Sequence, residues 1–190
     1  MKKLYLALFC LFATIKLFAS ERDSINGSTR PLIYGEVGVG TGNFNAVKLA
    51  GNYIFYEKHI VALQLYTHWR AEYPEQATWQ IRSPYHIMVY GAAMYGRTVA
   101  INSFLRMNLK AGILAGQSQR PVNFVGDVVG NGSYTYDHNE KYIVGIIANP
   151  TIEVMFHNHF GMSAGITAAY SNGTPVVSAE LCFIAGKLRK

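Results

Sequence analysis

A chain of 190 residues, half of them hydrophobic, is long enough for one domain with a full core or a lipid-facing surface. Its formal charge of +6 comes with no Lys/Arg cluster that looks like a nucleic-acid footprint, which argues against a nucleic-acid partner. Only two cysteines are present, Cys10 and Cys182. Cys10 falls in an export signal, so no intramolecular disulfide is expected to staple the mature domain.

The chain opens on Met1-Lys2-Lys3, a basic start, followed by an apolar run from Leu4 to Ile15. That run has signal-peptide length and is too short to cross a bilayer as a helix. Small residues at Ala19 and Ser20 suit cleavage, so residues 1–19 are read as a signal peptide. Phe9 is too bulky for the lipoprotein motif that Cys10 would otherwise suggest. Removing Lys2, Lys3 and Lys16 leaves 14 bases against 11 acids, a net charge of +3. Residues 20–31 follow as a flexible, polar leader.

From 32 to 190 the texture is β-rich, in runs of about ten residues divided by turn chemistry. Eight runs are predicted: Leu32–Gly40, Asn45–Tyr56, His59–Trp69, Pro84–Arg97, Ala100–Gly116, Tyr142–Phe156, Phe160–Tyr170 and Val176–Lys187. Period-2 alternation is clearest in the seventh, where Phe160, Met162, Ala164, Ile166, Ala168 and Tyr170 oppose Gly161, Ser163, Gly165, Thr167 and Ala169. The eighth sets Val177, Ala179, Leu181, Phe183 and Ala185 against Ser178, Glu180 and Cys182. The second and fifth runs divide in the same way. Such a pattern predicts an all-β fold, an eight-stranded antiparallel up-and-down barrel.

Alternation leaves open which face points inward. A soluble, lipocalin-like barrel would bury the apolar face around a ligand; a membrane barrel would show it to lipid. Two features favour lipid. The polar face of the seventh run is small, as a crowded lumen requires. The connections also alternate: tight turns near Glu57-Lys58, Thr98-Val99 and His157-Asn158-His159, against long polar loops at 70–83 and 117–141. The first and last connections of the second kind, near Thr41–Phe44 and Asn172–Pro175, are short. Aromatics near the run ends suggest two girdles, with Phe55, Tyr56, Tyr95, Phe156 and Phe160 at one end. Phe44, Trp69, Tyr85, Tyr142 and Tyr170 would form the other.

These runs and their loop parity resemble small outer-membrane barrels of the OmpA and OmpX type. The stretches YGRTVAINSFLRMNLKAGILAGQ, IANPTIEVMFHNHFGMSAGITAAY and FIAGKLRK also resemble a group of uncharacterised small barrels from Bacteroidetes. The resemblance covers most of the mature chain. It implies the fold and an outer-membrane location, and it brings no activity. The chain departs from many such barrels in placing IAGKLRK after Phe183, where an aromatic residue often ends the last strand. Asp23-Ser24-Ile25 is similar to short Asp-Ser/Thr-apolar sites that Bacteroidetes O-glycosylate.

Projecting the alternation inward places Glu36, Lys48, Arg106, Lys110, Glu153 and Glu180 in the lumen. Three acids against three bases allow full pairing, so the expectation is a salt-bridged plug without a channel, in preference to a proton path or catalytic carboxylates. His157 and His159 form an H-x-H at a tight turn without a third ligand, so no metal or other cofactor is expected. A hydrolase would need Ser, His and an acid in reach, for which Ser83, His86 and Glu72 or Glu75 are the candidates. A strand sets Ser83 and His86 on opposite faces. Loop 117–141, with Tyr134, Tyr136 and Asp137, has the aromatic and polar mix of a contact surface for an extracellular protein or glycan. Pro150, inside the sixth run, suggests a bulge. The sequence reading is therefore a monomeric, non-enzymatic barrel in outer-membrane lipid, with a periplasmic or secreted location as the alternative.

Overall fold

The computed structural model describes residues 31–72, 84–126 and 134–189. The signal peptide, the leader through Arg30 with its Asp23-Ser24-Ile25 site, Glu75 and Ser83 lie outside the described residues.

Eight strands follow in order: β1 (Leu32–Gly42), β2 (Asn45–Phe55), β3 (His59–Ala71), β4 (Tyr85–Ala100), β5 (Leu105–Gly126), β6 (Tyr134–Met155), β7 (Phe160–Ser171) and β8 (Thr174–Gly186). Each pairs antiparallel with its sequence neighbour, and β1 closes on β8. Closure removes the sheet edges, so the ladder needs no partner from outside.

Alternation decides which way each side chain faces. Leu63, Ile113 and Val144 point outward and are 66–68% exposed, whereas Lys48, Lys110 and Glu153 point inward and are 0–1% exposed. The apolar face is the outer one. The soluble lipocalin-like alternative needs the reverse and has no apolar chamber here, because the lumen is filled by side chains.

That filling has three layers. At the short-turn end Tyr34, Ile54, Ile60, Met155, Ile184 and Leu188 form an apolar plug. At the opposite end Phe44, Tyr66, Met88, Tyr90, Leu114 and Val176 belong to a larger one. The charged and amide side chains occupy the space between. Phe44, expected in an aromatic girdle, is 1% exposed and belongs to the inner plug, because its even position shares parity with Ala46 and Lys48. Tyr85, Tyr142 and Tyr170 do face outward at that end, and Tyr56, Tyr95, Phe156 and Phe160 at the other.

Three expectations about the strands need correction. The fifth begins at Leu105, since residues 101–104 form a turn in which Asn102 Oδ1 accepts from the Phe104 and Leu105 amides. The segment read as an external loop, 117–141, is largely paired: β5 and β6 continue the ladder from Gln117↔Tyr142 to Val122↔Asp137, then slip register before Val125↔Thr135. Cross-strand polar pairs such as Gln119–Glu140 (3.3 Å) replace apolar pairs there, so the polar texture concealed the strands. Pro150 makes no bulge, because β6 and β7 hold one register on both sides of it, from Ala148↔Ala168 to Thr151↔Gly165. Proline cannot donate to the facing Ile166 carbonyl, and Asn149 Nδ2 donates to that carbonyl instead, at 3.2 Å.

Candidate functional site

The inward positions of β8, β1 and β2 bring Glu180, Glu36 and Lys48 together. Lys48 Nζ lies 2.8 Å from Glu36 Oε2 and 3.3 Å from Glu180 Oε2. Lys110 reaches Glu36 from β5 at 3.5 Å. Arg106 and Glu153 are direct ladder partners on β5 and β6, and Arg106 Nε donates to Glu153 Oε2 at 2.7 Å. The six charges therefore form a chain of four and a separate pair. Residues of this type survive burial only when paired and hydrogen-bonded.

Neutral side chains complete the network. Tyr34 Oη and Asn108 Nδ2 donate to Glu153 Oε1 at 2.7 and 2.6 Å. Asn52 donates to Glu36 at 3.0 Å, and Asn149 Oδ1 accepts from Lys48 at 3.1 Å. Asn149 also donates to Thr167 Oγ1 at 2.9 Å. Sequence reasoning followed the charges and missed these amides and hydroxyls, although all share the inward parity. Chemically the arrangement pairs each of the six charges with an opposite one and holds it in place.

A second cluster sits at the rim opposite the short turns. Glu72, just past β3, accepts from Arg70 at 2.8 Å and from Arg120 at 2.9 Å. Partial burial pushes its carboxyl up, and the two guanidiniums outweigh that, holding it below the ordinary carboxylate value. His86 Nδ1 is 3.5 Å from Glu72 Oε1, and His86 Nε2 is 2.8 Å from Ser118 Oγ. Among the described residues the serine that His86 meets is thus Ser118 on β5. Beneath it His68 is stacked between Tyr66 and Tyr90, with ring centroids 5.2 and 5.4 Å away, and Phe44 packs edge-on against both histidines.

Above the rim the β5–β6 hairpin projects beyond its neighbours: β4 pairs with β5 only as far as Gln119, and β7 with β6 only as far as Gly145. Tyr136 rests on Phe124 and His138, and Asp137 accepts from Asn123 at 3.1 Å. Tyr134 pairs with Gly126 at the outermost described rung.

The short-turn mouth is closed by the segment after β8. Gly186, at φ 141°, turns the chain inward. The Lys187 amide donates to Ile33 O (2.8 Å) and the Leu188 amide to Asn158 O (2.9 Å). Leu188 is 1% exposed, and Arg106 donates to its carbonyl at 3.3 Å. Phe183 faces outward beside Phe160, ring centroids 6.0 Å apart. At the same end His157 and His159 lie 5.8 Å apart, and among the described residues no group of three potential ligands forms.

No protein-family model and no curated protein matches the sequence. Solved structures do match in fold. The attachment invasion locus protein Ail of Yersinia pestis, solved with the heparin analogue sucrose octasulfate, superposes with a TM-score of 0.52 at 10% identity, over 84% of this chain and 99% of Ail. Ail in a phospholipid bilayer nanodisc gives 0.53 at 12% identity, over 82% and 99%. The N-terminal β-barrel domain of Pseudomonas aeruginosa OprF gives 0.56 at 11% identity, over 84% and 98%. The chain has the eight-stranded barrel fold of these proteins.

Proposed function

We propose that this chain is a non-enzymatic outer-membrane β-barrel with a sealed lumen, whose external end binds an extracellular protein or glycan. The observation that carries the membrane reading is the inverted polarity: an outer belt of exposed Val, Leu and Ile around an inner layer of paired charges. Water could not solvate that belt without exposing an apolar area far beyond that of ordinary monomers. The likeness to Ail and OprF supports the same reading. Binding falls to the projecting β5–β6 hairpin and to connection 70–83, since the lumen has no room for a solute. The structure of Ail with a heparin analogue makes sulfated glycans the first ligands to screen.

The test is fractionation with gel migration. The protein should stay with the membrane fraction and run as a compact, heat-modifiable monomer band. Recovery in the periplasmic or culture supernatant would refute the reading.

A second reading, ester hydrolysis at the external mouth, is favoured by the order Ser118 Oγ, His86 Nε2, His86 Nδ1, Glu72 Oε1. A serine-directed fluorophosphonate should then label the wild type and spare Ser118→Ala. An unlabelled wild type would dismiss it.

A further inference from the structure

On the outer face at the short-turn end, side chains from three adjacent strands form one continuous ledge. Tyr53 stacks on Phe55 (centroids 5.9 Å apart), Phe55 stacks on His59 (5.2 Å), and His59 packs against Tyr95 (5.8 Å). These residues occupy outward positions of β2, β3 and β4, where Phe55 pairs with His59 and His59 with Arg97. The ledge ends on a cation. Arg97 Nη1 donates to His59 Nε2 at 3.2 Å, which leaves Nδ1–H of the neutral ring to donate to Tyr95 Oη. The adjoining turn carries Lys58, and the Thr98 amide donates to the Lys58 carbonyl at 2.9 Å, pinning that turn to the end of β4. A surface hollow of about 470 Å³ opens beside Tyr53 and Phe55.

The charge at this level is one-sided. Arg97 is exposed, and among the described residues its guanidinium pairs with no carboxylate. Lys187, likewise exposed, lies at the same end. A guanidinium bonded to a neutral ring keeps most of its N–H fork for a second acceptor, and that fork matches a phosphodiester. Aromatic residues at this depth mark the boundary between acyl chains and headgroups.

We propose that the Arg97 guanidinium and the Tyr95 hydroxyl, both positioned by His59, bind the phosphate of an anionic phospholipid, with its glycerol and upper acyl chain laid along Tyr53 and Phe55. The proposal rests on the outer-membrane reading. It adds a lipid class and a fixed place on the barrel.

The experiment uses barrel reconstituted in vesicles of equal parts phosphatidylglycerol and phosphatidylcholine, released into detergent, with retained lipid counted by native mass spectrometry. Wild type should retain phosphatidylglycerol in preference. Arg97→Gln should lower that retention about fivefold, the effect of one basic group at an anionic surface. Lys187→Gln, which removes the same charge elsewhere on the rim, should leave it unchanged. Equal retention of the two lipids by wild type, no change in Arg97→Gln, or an equal loss in Lys187→Gln would overturn the site. Displacement of the lipid by millimolar inorganic phosphate would overturn the commitment to a lipid. Failure of wild type to insert even into pure phosphatidylcholine vesicles would instead refute the outer-membrane reading beneath it.

Discussion

Lys110 on β5 and Glu36 on β1 meet at 3.5 Å although their strands stand four apart around the ring. The contact crosses the lumen and shows how narrow an eight-stranded barrel is: opposite walls touch through one pair of side chains. The chain Glu180–Lys48–Glu36–Lys110 therefore ties β8, β1, β2 and β5 into one unit.

Removing the middle of that chain should cost most. Lys48→Met leaves Glu36 and Glu180 buried with only Lys110 to offset them, and a broken buried pair typically costs about 3–5 kcal/mol. The double variant Lys48→Met/Glu36→Gln should recover part of that loss. Urea unfolding in vesicles would measure both, and a single-variant midpoint equal to wild type would refute the account.

Asn149 serves two networks at once, the lumen charges and the Ile166 carbonyl opposite Pro150. Asn149→Leu should destabilise by more than one lost hydrogen bond, about 2–4 kcal/mol, since each orphaned buried group costs about 1–3. Pro150→Ala supplies an N–H for that carbonyl. It should make the Asn149→Leu background less costly, as a double-mutant cycle would show.

At the rim, Glu72 titrates below the ordinary carboxylate value because Arg120 and Arg70 offset its partial burial. A depressed folded-state value means that its contribution is complete above the unfolded value near pH 4.3 and is lost as pH falls through the folded one. Amide protection factors at the end of β3 and the start of β4 should therefore fall on acidification below that range. Glu72→Gln should exchange faster already at neutral pH and flatten the dependence. An unchanged acid profile in Glu72→Gln would count against the rim clamp.

Leu188 seals the short-turn mouth from within. Leu188→Ala should lower stability by about 2–4 kcal/mol, the range for a fully buried leucine with incomplete collapse of its cavity. Leu188→Asp should loosen the tail further and expose the mouth to a protease in detergent. A tail equally protected in Leu188→Asp would show that the backbone bonds of Lys187 and Leu188 suffice.

A one-residue glycine change tests strand approach. A Cβ built on Gly112 would lie 2.0 Å from the Ala93 carbonyl oxygen, so Gly112→Ala must push β4 and β5 apart. The variant should fold more slowly and unfold at lower urea than wild type, with kinetics followed by gel shift.

The alternation in Phe160–Tyr170 and Val176–Lys187 was enough to predict strands, their faces and a barrel, because a period of two is a local property of the extended backbone. Parity likewise directed Glu36, Lys48, Arg106, Lys110, Glu153 and Glu180 inward. Tertiary structure decided the rest. Which charges touch depends on register and lumen width, so the meeting of Lys110 with Glu36 has no local signal. The strands within 117–141 were hidden because cross-strand pairing can hold a polar hairpin that carries no apolar period. His86 was grouped with Ser83 from proximity in sequence, whereas ladder pairing of β4 with β5 brings it Ser118. Leu188, which lies in the IAGKLRK ending and carried no local signal, became a plug because closure of the ring created the apolar mouth it fills.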